Sequence, residues 1–492
     1  MKKILQVSLL LFLFQGLLAT YDFNSNCKKA YYELFNLRYA KALEILNKEL
    51  TRNPNNLYAC YLENYAELVQ VLTIGSKDLY QSFISHFESR IRKVKNGKND
   101  SPYYNLFISE MYFHLSLVHG QFNSFVNAAI SYYKSYKLAK KNLKEYPSFI
   151  FNKKILGIHE LALSIIPEEY KGLFAFFGLS GSYEQGSDYI NSFYSFGLLN
   201  HEYLYEAAML KFFAVAQFGK DDHAAYQFLK DEKLDTSNNI ILNISYVLAL
   251  KQIGKTDEAL AYLKEKGLTE GNMPVPELYY LYGSLKFTRL DLDANKYFEI
   301  FLDTYKGEHF RKHTHRKLAW YYFIQKNYSK SDYHRKKSIE DGQKIIEHDL
   351  QAYSEMRDTF PLNETLLKAR LLFDGGYYEQ SKKLLSQNAG EFKESNIKNQ
   401  IEYFYRIARV MHEMNELSQA EKYYLLTIKH GEYFDFYFPA YACYRLGLIY
   451  EQKNNYPDAE FYLKKGIHIV PKEYKPSLER RSKIVLKRIR NI

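Results

Sequence analysis

Four strings in this chain have residue types and spacings that could do chemistry. Gly254-Lys255-Thr256 has the ending of a phosphate-binding loop, where backbone amides cradle phosphates and a lysine reaches them. The first glycine of such a loop would fall five residues earlier, at Ala249, and a helical pattern precedes it instead of a strand. Gly178-Leu179-Ser180-Gly181-Ser182 approaches a nucleophile elbow, but Ser182 stands where the last glycine belongs and no strand leads in. His309 and His313 are one helical turn apart in "HFRKHTH" and could share a metal. Only Glu308 stands beside them, so this string is expected to be a solvated, basic helix start. Carboxylate pairs such as Glu168-Glu169, or Glu347 with Asp349, are no commoner than chance gives, and no HExxH string occurs. No catalysis, cofactor or metal is expected.

Binding is the better expectation, and it falls on arginine and tyrosine. Arg316, Lys317 and Trp320, then Arg370 and Phe373, then Tyr405, Arg406, Arg409 and His412, then Tyr444 and Arg445 recur in step along the C-terminal half. A guanidinium pairs two ways with a carboxylate, and tyrosine offers a rigid apolar body with a hydroxyl. The bland alternative is local: Glu402 with Arg406 and Arg409 with Glu413 are i,i+4 pairs that would stabilise only their own helix.

The elements that would position these residues are helices. The 492 residues hold only 11 Pro and 23 Gly, which disfavours a turn-rich β fold, and strand-like alternation is rare. In "PAYACYRLGLIYEQKNNYPDAEFYLKKGIHIVPKEY", two helices meet at Asn454-Asn455, with Gly447 and Ala459 small at a close crossing and Pro471 ending the unit. Similar units carry Ala408, Met411, Ala420 and Tyr424; Leu250, Gly254, Ala259 and Leu263; and Tyr39, Ala42, Leu46 and Pro54. Weaker copies run from Pro276 to Tyr305 and from Arg316 to Gly342. Ser381, Ala420 and Ala459 are each 39 residues apart, so longer loops such as "HGEYFDFYF" separate the units. Gly376 in "LLKARLLFDGGYYEQSKKLL" then falls where Asn415 and Asn454 sit. It is expected to stop a helix in the left-handed conformation that Gly and Asn tolerate. Residues 57–200 are helical but irregular.

These units resemble tetratricopeptide repeats (TPR), whose 34-residue helix-turn-helix they approximate. The string at 366–385, with "KLAWYYF" and "RLGLIYEQ", looks like a group of exported TPR proteins of Gram-negative bacteria. The resemblance implies an all-α, right-handed superhelical solenoid of helical hairpins. It also implies that a protein or peptide binds the concave face lined by the first helix of each unit. Some TPR grooves clamp a C-terminal carboxylate with basic residues, so an acidic or C-terminal peptide is the expected partner of the ladder.

The expected organisation is a signal peptide over 1–19, a divergent helical region over 20–200, a TPR solenoid over 201–475 and a basic capping helix over 476–492. The leader has basic Lys2 and Lys3, an apolar run from Ile4 to Phe14, and a cleavage site after Ala19. Export to the periplasm or cell envelope follows. Cys27 lacks a lipobox, because Asn24-Ser25-Asn26 precede it, and Cys27, Cys60 and Cys443 form no framework. The net charge of +11 is concentrated late: residues 464–492 hold ten Lys/Arg and two Glu. Leu478, Val485 and Ile489 can face the last repeat. Arg480, Arg481, Lys483, Lys487 and Arg488 are then left to solvent or to weak contact with an anionic membrane, and nucleic acid is not expected. Two other classes compete with the scaffold. A glycan-binding outer-membrane protein of the starch-utilisation type would need several Trp and a lipidated cysteine, and the chain has one Trp. An (α/α) barrel hydrolase would need a carboxylate pair in a closed cavity.

Overall fold

A computed structural model describes residues 19–166, 174–175, 177–231, 239–268, 275–471 and 474–490. The leader pattern, apart from Ala19, lies outside them, as does much of the apolar stretch beginning at Ile165. The described residues are helical throughout, and their only β pairing is an isolated bridge between Thr20 and Asn56. None of their helices is long and apolar enough to cross a membrane.

Contacts divide the chain into two compact units: Met1–Ile253 with Ala261–Leu278 and Thr304–Gly307, and Gly254–Leu260 with Tyr279–Asp303 and Glu308–Ile492. Residues 201–253, grouped with the repeats by their sequence pattern, pack in the first unit. That unit contains α1 (Ser25–Leu34), α2 (Tyr39–Arg52), α3 (Leu57–Ile74), α4 (Lys77–Lys95), α5 (Pro102–Gln121), α6 (Phe125–Glu145), α7 (Phe151–Ser164), α8 (Tyr183–Leu199), α9 (Leu204–Phe213), α10 (Asp222–Asp231) and α11 (Ile240–Gln252). The divide runs through α12 (Thr256–Glu265), α13 (Pro276–Thr288) and α14 (Ala294–Thr304). The second unit continues with α15 (Arg311–Ile324), α16 (Tyr328–Glu340), α17 (Glu347–Arg357), α18 (Glu364–Asp374), α19 (Tyr378–Gln387), α20 (Ala389–Lys393), α21 (Ile397–Glu413), α22 (Leu417–Gly431), α23 (Tyr437–Gln452), α24 (Tyr456–Ile469) and α25 (Lys475–Arg490).

The architecture is a series of helical hairpins of the TPR type, and one turn recurs in it. Leu37, Asn123, Leu290, Lys326, Gly376, Asn415 and Asn454 all have φ between 57° and 84°, and each follows the first helix of a hairpin. At Gly376 its N–H donates to the Phe373 carbonyl (3.0 Å), and the Tyr377 N–H donates to the Leu372 carbonyl (2.9 Å). The same pair of bonds forms at Asn415 and Asn454. This left-handed cap satisfies carbonyls that the helix end would otherwise orphan. Gly376 answers a second demand that the asparagines do not meet. A Cβ there would clash with the Gly254 carbonyl oxygen and lie 2.7 Å from the Gly254 Cα.

Twelve residues separate the small pair at each hairpin crossing. Ala319 with Ser331, Ala369 with Ser381, Ala408 with Ala420 and Gly447 with Ala459 are these pairs. The two serines donate their hydroxyls to the opposing alanine carbonyl at 2.9 Å. A Cβ on Gly447 would lie 2.6 Å from the Leu463 side chain, so glycine is required there. Asn327, Asn363 and Asn396 cap α16, α18 and α21 through their side-chain oxygens, which fixes where these helices start. The expected terminal cap is also present: α25 buries Leu478, Val485 and Ile489 against α23 and α24. Arg488 and Arg490 of that helix pair with Glu451 and Glu460 of the last hairpin.

Candidate functional site

In the second unit the first helices of successive hairpins touch in turn: α15 with α18, α18 with α21 and α21 with α23. Their shared side, closed by α17, surrounds a cavity of about 340 Å³. Pro361, Leu366, Leu367, Phe436, Phe438 and Pro471 form its apolar wall.

The floor of this cavity is charged. From α15, Arg316 approaches Glu355 of α17 at 2.9 Å. From α18, Arg370 grips both oxygens of the same carboxylate, at 3.1 and 3.2 Å. Trp320 lies between the two guanidiniums, 4.6 Å from Arg316 and 4.7 Å from Arg370 at the ring centre, where the indole face favours both cations. Arg406 of α21 bonds Glu402 one turn away, at 2.6 and 3.0 Å, and reaches the Tyr437 hydroxyl at 3.1 Å. The rings of Tyr437 and Tyr474 stand 5.0 Å apart beside it. Burial alone would raise the Glu355 carboxyl. Arg316 and Arg370 more than offset that and hold it at about 2. Burial raises the Tyr437 hydroxyl, so it stays protonated at neutral pH.

Three guanidiniums thus face two carboxylates: Arg370 and Arg406 balance Glu355 and Glu402 on the lining, and the one positive charge in excess is Arg316, behind Glu355. The rim adds the Lys398–Asp358 pair, exposed Arg357 and exposed Asp435, which cancel. Donors are also left unmet. Nε of Arg316 and Nε1 of Trp320 are buried without a hydrogen bond among the described residues. Such groups are costly to bury unmatched, and an acceptor entering the cavity would relieve that cost.

Of the residues expected to bind, Trp320, Arg370 and Arg406 line this cavity, and Arg316 stands behind it on Glu355. Lys317 does not; its ammonium sits over the Phe287 and Phe298 rings. Phe373 and Tyr405 are core residues. Arg409 covers the Phe373 ring at 3.8 Å and faces Asp374 at 3.6 Å. Tyr444 packs beneath the terminal helix. Arg445 pairs with Glu413 at 3.2 Å. The expected Arg409–Glu413 pair therefore does not form, because both partners reach across to a neighbouring hairpin. His412 is half-buried against Tyr424.

The histidine string is also unlike its expectation. His313 and His315 are buried, not solvated. His315 contacts His334 at 3.0 Å and Asp341 at 3.1 Å, and His313 contacts Tyr280. Asp349 accepts from the N–H groups of Phe310 and His313, which caps α15 from a distance. Among the described residues no three His, Cys, Asp or Glu side chains are grouped to hold a metal. Cys27, Cys60 and Cys443 are free thiols in the core.

Glu355, Tyr437 and Tyr474 were missed by sequence reasoning. A signal existed for Tyr437, since it lies in the aromatic string "HGEYFDFYF" that lengthens the repeat.

The chain matches no family model and no curated protein. Among solved structures, a monomeric mutant of IFIT1 with Gppp-AAAA shares 12% identity over 89% of this chain and 95% of that one, with a TM-score of 0.34. The APC/C hetero-tetramer Cut9-Hcn1 shares 11% identity over 94% and 95%, with a TM-score of 0.30. Overlap this low assigns neither partner nor activity to the present chain.

Proposed function

We propose that this protein is an exported, non-catalytic scaffold. It holds a partner protein by an acidic or C-terminal peptide segment whose carboxylate enters the arginine-floored cavity of the second unit. The observation that carries the reading is the charged cluster at the cavity floor: three guanidiniums face two carboxylates, and the buried indole N–H of Trp320, which lines the cavity, is unmet. An incoming carboxylate supplies both the countercharge and the acceptors, and the apolar wall takes the neighbouring side chain. Export rests on the leader pattern at 1–19, and the mature N-terminus read by mass spectrometry from an envelope fraction tests it.

The cavity holds the chain's only tryptophan, so Trp320 emission reports occupancy directly. Acidic peptides with a free C-terminus should shift that emission. The same peptides, amidated and with acidic residues replaced by amides, should not. Arg370→Gln removes the bidentate grip and should weaken binding by about tenfold or more. Equal responses to charged and neutralised peptides would end the proposal.

A further inference from the structure

The first unit has a cavity of its own, of about 350 Å³ and opposite character. Leu34, Phe35, Leu68, Leu72, Phe113 and Ile158 line it, contributed by α1 and its end, α3, α5 and α7. Polar groups are confined mainly to one end. There Lys154 of α7 donates to Glu110 of α5 at 3.0 Å and to Glu206 of α9 at 3.2 Å. All three side chains are at least nine-tenths buried. Three tyrosine hydroxyls complete the group: Tyr61 donates to Glu110, and Tyr31 and Tyr65 donate to Glu206.

Two carboxylates share one ammonium here, so the group has one negative charge in excess. Glu110 Oε1 is buried on a residue that lines the cavity; the Lys154 ammonium stands 3.0 Å from it without the geometry of a hydrogen bond. His114 beside it brings no compensating charge, since burial and Lys154 hold its imidazole at about 3, neutral at ordinary pH. Burial raises the Glu110 carboxyl despite Lys154. Lys154 clamps both carboxylates into one ion-pair group. They do not stand as a separate acid and base on opposite sides of a bond.

We propose that this cavity binds an amphiphile with an aliphatic chain and a primary ammonium head, the chain lying among the leucines and the head donating to Glu110. An anionic head would meet the surplus negative charge, and a neutral head would leave it uncompensated.

The test uses the full chain and three probes below their micellisation concentrations: n-decylammonium, n-decanol and n-decanoate. Titration calorimetry should find decylammonium about 10- to 100-fold tighter than decanol, the span expected of a hydrogen bond to a charged group, with decanoate weakest. Glu110→Gln should erase the preference for decylammonium over decanol. Equal affinity for all three heads, tighter binding of decanoate, no binding of any probe, or an unchanged preference in Glu110→Gln would each overturn the proposal. The head-group comparison needs no variant, so it decides even if Glu110→Gln folds poorly.

Discussion

Replacing Glu355 with glutamine removes one negative charge from the arginine cluster while keeping the shape of the side chain. In the native protein Arg316 and Arg370 hold this carboxyl at about 2, against an ordinary value of 4.5. A shift of that size corresponds to about 3 kcal/mol of stability at neutral pH. The folded value is the depressed one, so the contribution is present above the unfolded value and fades as pH falls from about 5 toward 2. Glu355→Gln should therefore destabilise the second unit by about 3 kcal/mol at pH 7, within the range for breaking a buried pair. Its stability should also vary less than wild type between pH 5 and 2. Trp320 touches the cluster, and its emission during urea unfolding follows the right unit. The same substitution should tighten an acidic peptide by about tenfold, because the internal competitor for Arg316 and Arg370 is gone. Stability and affinity thus move in opposite directions. A loss under about 1 kcal/mol with an unchanged pH profile would refute the electrostatic account of the cluster. Weaker peptide binding by a folded Glu355→Gln protein would refute the role given to its charge.

Gly376→Asn should lower stability by about 2 kcal/mol or more, from overpacking against Gly254, whereas Asn415→Gly should change it by about 0.5 kcal/mol or less; thermal melts of the two proteins compare them. Ser381→Ala copies the crossing at Ala420 and should cost under about 1.5 kcal/mol, while Ser381→Leu should cost about 1–3 kcal/mol in urea titration. Deleting residues 476–492 uncovers Ala459 and Leu463, so dye binding to exposed apolar surface should rise and the melting temperature should fall. The same deletion should leave co-sedimentation with anionic liposomes unchanged, because Arg488 and Arg490 are already engaged by Glu451 and Glu460.

The hairpins were legible because their signals are local. A left-handed residue, two small residues twelve positions apart and an asparagine cap all depend on neighbours within one hairpin. Gly376 shows the limit of that reading: its left-handed φ was foreseeable from Asn415 and Asn454, but its contact with Gly254 spans two distant turns. The arginines of the cavity were legible because the repeat places Arg316, Arg370 and Arg406 on successive first helices. Their countercharge was not, since Glu355 sits on α17, a helix inserted outside the repeat. The Arg409–Glu413 expectation failed because i,i+4 spacing permits a pair without compelling it, and Asp374 and Arg445 compete from adjacent hairpins. In the first unit the pattern is irregular for a physical reason. Helix α5 buries Asn105, Ser109, Glu110 and His114 along with its leucines, so its buried faces carry no apolar period.

The unusual tyrosine content, 48 residues beside one tryptophan, follows from the same polar interiors. A buried carboxylate needs donors, and a phenol supplies one while its ring still fills apolar volume with only two rotatable bonds to order. Tyr31, Tyr61 and Tyr65 do this for Glu206 and Glu110, and Tyr322 and Tyr450 do it for half-buried Glu299 and Glu421, while Tyr377 donates to exposed Asp257. Burial raises these phenols above their ordinary range, so they remain donors at neutral pH. Tyrosine can stabilise a carboxylate without neutralising it, which leaves the sign of a cavity to its Lys, Arg and Glu alone. One unit sums to a negative floor and the other to a positive one. A peptide carboxylate should therefore be refused by the first cavity and decylammonium by the second. Trp320 emission that stays constant while calorimetry records decylammonium binding would show the second half of that statement, and a shifted emission would contradict it.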